Sequence, residues 1–325
     1  MRKIFSFLTV VLILFNLSGC DKISDMSNNK IKIGIALSSN NTFLQSVCQS
    51  AEKAASQNDV YLDIYDANEN SQKQIEKIQE WSDNGYAAVI VALCDDKSAK
   101  AVLSSAGVMP VVFINNMPSD TDILTSRQNV IYIGSKETDA GTMQGEFLSK
   151  YFLEKNNTAP TIAVISGNEN NHASKLRIDS AKEALTKAGI MPFYVYENSG
   201  DWNKDKTQKD FSAFLKSKPK IDAVLAANDD MAIGAAEALS QAGYAISDIP
   251  ITGVDATYEG RHALRDGRID FTVYQNPENQ GSGAINEIML MLGGKSANVD
   301  TDSIQWQEYK PVTIENVDQL FPDDN

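Results

Sequence analysis

From Ile31 onward the chain alternates short apolar runs with stretches whose apolar residues recur at helical spacing. That alternation predicts parallel sheets with helices on both faces. The first set of runs is "IKIGIAL", "YLDIYDA", "AAVIVALC", "PVVFINN" and "NVIYIGS"; the second is "TIAVISG", "PFYVYEN", "IDAVLAAND", "IPITGVDA" and "IDFTVYQN". Most are followed by a helical pattern such as "DAGTMQGEFLSKYFLE" or "ASKLRIDSAKEALTKAG". Two similar open sheets follow, one per lobe, and 325 residues suit two cores better than one. No Pro/Gly-rich linker separates the sets, so the lobes are expected to exchange strands directly. The last residues, "FPDDN", are expected to fray.

The N-terminus departs from this pattern. "MRKIFSFLTVVLILFNLSGC" has a basic start, an apolar run from Ile4 to Phe15, and Ser18 and Gly19 before Cys20. This is a secretory signal layout, too short to span a bilayer comfortably. Its ending, Leu17 to Cys20, resembles the bacterial lipoprotein box, which implies removal of residues 1–19 and lipid on the sulfur and new amino group of Cys20. Two or more acyl chains hold a protein stably at a membrane. The expected location is extracytoplasmic, anchored to the outer face of the cell membrane, with residues 20–29 as a polar tether. Cys48 lies on a helical apolar stripe and Cys94 ends a strand-like run, which favours two small buried side chains over a bridge, although export permits one.

The formal net charge of -14 repels phosphate, and no Lys/Arg cluster supplies the basic footprint that nucleic acid requires. The polar groups of interest stand at strand ends instead, where open parallel sheets bind ligands. "AVLA" runs into Asn228, Asp229 and Asp230, and one of these aspartates is expected to cap the helix beginning near Met231. Asn115 and Asn116 follow "VVFI", Asp255 follows "ITGV", and Gln275 and Asn276 follow "FTVY". Converging on one cleft, the amides of Asn115, Asn228 and Gln275, the carboxylate of Asp255 and the guanidinium of Arg177 suit adjacent sugar hydroxyls, which donate and accept in pairs. Phe43 and Trp202 suit the apolar faces of a sugar ring. Burying the charges would be costly unless Arg177 lies near Asp255 or both meet hydroxyls. The competing assignments are Phe43 as ordinary core, Trp202 as loop packing and Arg177 as a solvated charge.

Together "VVFINNMPS", "IYIGSKETDAGTMQGE", "AANDDMAIGAAEAL", "ITGVDA" and "TVYQNPENQ" resemble the galactose/glucose-binding proteins of bacterial sugar transport, within the wider periplasmic sugar-binding family. The resemblance runs from about Ile31 to the C-terminus. It implies a type I α/β fold of two Rossmann-like lobes joined by a three-segment hinge, no enzymatic activity, and no cofactor. It also implies capture of a monosaccharide for delivery to an ABC importer permease; a sensory receptor domain is the alternative output. By position it places the stacking aromatics at Phe43 and Trp202 and the hydroxyl-gripping groups at Asn115, Arg177, Asn228 and Asp255. Elsewhere the sequence departs from the family pattern. Asn41 stands where a carboxylate is expected; the family histidine aligns with Asn171, with His172 one place later; Ala173 replaces an aspartate; and the last amide is Gln275 instead of Asn. "TVYQNPEN" is closer to ribose-binding relatives, so hexose and ribose both remain open. The implied lobes are residues 30–135 with 277–309 and residues 136–276 with 310–325, hinged near Gly134, Asn276 and Pro311, and a monomer is expected. The stretch matching the family's calcium loop, "EKNNTAPT", lacks alternating oxygen ligands, and "DWNKDKTQKDFS" lacks the glycine and the closing glutamate of an EF-hand, so no metal is expected.

Overall fold

The computed structural model describes residues 30–168 and 171–324. The expected signal segment, Cys20 and the expected tether, residues 1–29, lie outside the described residues.

The first five apolar runs form β1 (Ile31–Leu37), β2 (Val60–Asp66), β3 (Ala88–Val91), β4 (Val111–Ile114) and β5 (Val130–Gly134), separated by α1 (Thr42–Gln57), α2 (Ser71–Asp83) and α3 (Ala99–Ala106). The strands pair in parallel, and β3 and β4 are buried along their whole length, as expected of central strands covered on both faces. Apolar clusters pack on either face, one around Ile33, Phe43 and Leu44, the other around Trp81, Phe113 and Tyr132.

After β5 the chain crosses to the second lobe through α4 (Glu137–Glu154). There β6 (Thr161–Ser166), α5 (His172–Lys187), β7 (Phe193–Ser199), α6 (Lys204–Leu215), β8 (Ala223–Ala226), α7 (Asp229–Gln241), β9 (Ile251–Thr252) and α8 (Tyr258–Arg265) repeat the alternation. The sheet order is β7-β6-β8-β9, all parallel. β10 (Thr272–Tyr274) then leads into α9 (Pro277–Leu292), which returns to pack on α1. β11 (Ile304–Trp306) adds a sixth strand to the first sheet beside β5, and β12 (Lys310–Val312) crosses back once more. The fold is therefore two parallel-sheet lobes linked by three chain crossings.

Three details differ from expectation. The fifth run of the second set joins the second sheet only through isolated bridges, Thr252 to Phe271 and Asp255 to Tyr274, because its ladder partner is the antiparallel β12. Up to Asp324 the tail is docked, not frayed: α10 (Val317–Leu320) precedes Phe321, whose ring meets Tyr274 edge-on, and Asp324 accepts hydrogen bonds from Arg261 and Arg265. The cap of α7 is Asn228, whose Oδ1 accepts from the Met231 amide at 3.0 Å, while both aspartates lie inside the first turn. Cys48 and Cys94 are free and buried, and burial pushes each thiol up to about 12.

Candidate ligand-binding site

A narrow polar cavity lies between the two lobes. The first lobe contributes Asn41, Phe43 and Asn115 to its wall; the second contributes Asn171, Arg177, Trp202, Asn228 and Asp255. Phe43 also packs into the first lobe's core and Trp202 against the second's, so each ring has a rigid back and a face at the cavity.

Local structure explains how these side chains arrive. Asn41, Asn171 and Asn228 are N-caps of α1, α5 and α7, each accepting from an amide of the first turn through Oδ1. Capping consumes the carbonyl end of each side chain and leaves its NH₂ for other partners. Asn115, Trp202 and Asp255 have φ of 57°, 59° and 110°, backbone that side-chain-bearing residues rarely adopt. Such strain persists only where the surroundings over-determine it, and it clusters at functional sites. Trp202 lies so close to Gly167 that a Cβ there would stand 2.1 Å from its ring.

Arg177 is buried and bonded on every nitrogen. Nε donates to Glu137 Oε2 at 2.5 Å, Nη1 to the Ala227 carbonyl at 2.8 Å and Nη2 to the Tyr309 hydroxyl at 3.3 Å. Gly141 permits this geometry, because a Cβ there would lie 2.0 Å from the Arg177 carbonyl and force α4 from α5. Asp255 stands 3.8 Å from Nη1, a distance of attraction without a hydrogen bond. Burial pushes its carboxyl well above the usual range, and Arg177 offsets this only in part. Burial opposes the charge of Arg177 itself, but Glu137, Tyr309 and Asp255 together hold its pKa above the ordinary value.

Direct bonds join the lobes beside the cavity. Thr42 Oγ1 donates to Asp230 at 2.8 Å, and Asn171 Nδ2 donates to Asn116 Oδ1 at 3.0 Å. The lobes are thus in a closed arrangement.

Two other sequence candidates stand apart. His172 is exposed and lines a small neighbouring cavity with Asp96 and Met117. Gln275 is fully buried behind Asp255, its backbone N–H donating to the Asp255 backbone carbonyl at 3.3 Å, and neither atom of its side-chain amide has a protein partner. Sequence reasoning missed Thr42, Glu137 and Tyr309. Tyr309 adjoins an expected lobe boundary, which is a signal of place; an acidic residue opening a helix, as Glu137 does, is too common to single out.

A two-lobed α/β body with a polar cavity at its hinge defines a protein that holds a small solute by lobe closure. The periplasmic binding protein domain matches residues 33–296, and the chain belongs to that family. It is 30% identical over 242 residues to a putative rhizopine-binding protein of Rhizobium meliloti, covering 73% of this chain and 76% of that one. It is 27% identical over 233 residues to a D-galactose/methyl-galactoside binding periplasmic protein of Haemophilus influenzae, covering 69% and 68%. Among solved structures, an ABC transporter solute binding protein of Bacillus halodurans with bound myo-inositol is 25% identical, with a TM-score of 0.79 over 90% of this chain and 98% of that one.

Proposed function

We propose that this protein captures one monosaccharide ring, a hexose of the galactose or glucose kind, between its lobes and delivers it to an ABC importer. The observation that carries this reading is the convergence of Phe43 and Trp202 with Asn115, Arg177, Asn228 and Asp255 on one cavity between the lobes. Asp255 and the free N–H groups of Arg177 grip adjacent hydroxyls, the amide NH₂ groups of Asn41, Asn115 and Asn228 donate to others, and the two rings cover the apolar faces. Gln275 gains a partner if a hydroxyl or a bridging water reaches its buried amide. The protein works outside the cytoplasm, tethered through lipidated Cys20, and its lobes are residues 30–135 with 277–309 and residues 136–276 with 310–325.

A cyclic polyol is the second reading, favoured by the myo-inositol-bound relative and by a wall on which Asn41 and Ala173 stand where the galactose/glucose pattern has carboxylates. Thermal shift with D-galactose, D-glucose, D-ribose and myo-inositol separates the readings, since a ligand at 100 times its Kd stabilises the folded form by about 2.7 kcal/mol. Trp202→Ala and Asp255→Ala should each abolish the shift while the proteins stay folded. Wild-type-like shifts in both variants would place the site elsewhere.

A further inference from the structure

Among the described residues Arg177 is the only buried lysine or arginine, and protein groups already claim most of its donors. A guanidinium carries five N–H groups. Glu137, the Ala227 carbonyl and Tyr309 take one from each nitrogen, which leaves one on Nη1 and one on Nη2 for the cavity. Glu137 Oε2 also accepts from the Tyr309 hydroxyl at 2.9 Å, so the three side chains form a closed ring of bonds.

The geometry has a competing alternative within reach. A guanidinium beside a carboxylate favours the bidentate fork, yet Arg177 and Asp255 stand 3.8 Å apart without it. The fork would consume the donors of Arg177 and the acceptors of Asp255 together. We infer that Glu137 and Tyr309 are positioning residues that hold Arg177 off Asp255, and so decide which donors and acceptors the ligand meets. Their places in the chain add a second consequence. Glu137 opens α4 just past the first crossing, and Tyr309 lies on the third, between β11 and β12. The plane of the guanidinium is therefore set by two of the three hinge segments, and a hydroxyl pair that fits it also fits the closed hinge.

This inference rests on the solute-binding reading above, and its test has one arm that does not. In protein labelled with [15N]arginine, the Nε–Hε resonance of Arg177, assigned with Arg177→Lys, should be shifted and protected by its bond to Glu137. Glu137→Gln should move that resonance and, in a crystal, bring the guanidinium onto Asp255. Tyr309→Phe should leave the resonance protected, since it removes the bonds of the hydroxyl to Nη2 and Glu137 but keeps the one from Nε to Glu137. With D-galactose, D-glucose, D-ribose and myo-inositol as probes, the affinity of whichever binds should fall about tenfold or more in Glu137→Gln, as befits loss of a bond to a charged group, and less in Tyr309→Phe. An unmoved resonance in Glu137→Gln overturns the inference whatever the affinities do. Unchanged affinity despite a moved resonance overturns its ligand-positioning part. If no probe binds wild type, the proposed ligand class falls, and the resonance still decides the positioning.

Discussion

Adjacent aspartates at the start of α7 have opposite duties. Asp230 faces the other lobe and meets Thr42, whereas Asp229 turns inward and accepts from Thr272 Oγ1 at 2.6 Å and from the Thr257 amide at 2.8 Å. Burial nevertheless outweighs those donors and raises the Asp229 carboxyl to about 7. The unfolded chain releases that proton near pH 4 and the folded one holds it to about 7, so this group's contribution to stability falls as pH rises through that window and is level above it. Asp229→Asn, which keeps the shape and cannot ionise, should therefore gain on wild type as pH rises from 4 to 8, by a total on the order of a few kcal/mol. Urea melts of both proteins across that range check this, and curves that run parallel would refute it. Neither duty could be read from "NDD" alone, because the acceptor's environment comes from Thr257 and Thr272, in other elements. The same reason hid Glu137 and Tyr309, which meet Arg177 from 40 and 132 residues away.

At the scale of elements, one device recurs: α1, α2, α5, α6, α7 and α9 all begin on an asparagine whose side chain accepts from the first turn. Three of those caps also line the cavity, which gives a physical account of Asn41 and Asn171 where the related pattern carries other groups. An asparagine caps with its oxygen and donates with its nitrogen, whereas a carboxylate can only accept. Asn228→Asp should thus keep the cap and melt near wild type, while Asn228→Ala should lose about 1 kcal/mol and melt about 2 °C or more lower. Both should lose ligand-induced stabilisation, and a variant that caps poorly yet binds normally would separate the two roles against expectation. The strands were legible because buried parallel strands read as continuous apolar runs and their polar ends mark the ligand face. β11 and β12 were not, since each is only three residues long and set among polar neighbours in "SIQWQEYKPV".

For the whole molecule, function turns on how much of the closed form's stability comes from the ligand and how much from the lobes themselves. Thr42–Asp230 and Asn116–Asn171 cross directly from lobe to lobe, so part of closure is independent of solute. Burial raises the Asp230 carboxyl, and its bonds to Thr42 pull in the other direction. In an open form Asp230 would return to water, and the latch would cost nothing to lose. Thr42→Val, close in shape, leaves Asp230 facing a methyl group only when the lobes close. The penalty for such an unmet acceptor is about 1–3 kcal/mol, which corresponds to about 5- to 150-fold in the open–closed equilibrium. Ligand affinity should weaken through a faster off-rate in stopped-flow Trp202 fluorescence. Ligand-saturated protein should still reach the wild-type radius of gyration in X-ray scattering, because added ligand repopulates the closed state. An unchanged off-rate would mean that the solute alone holds the lobes together and that Thr42 and Asp230 merely touch.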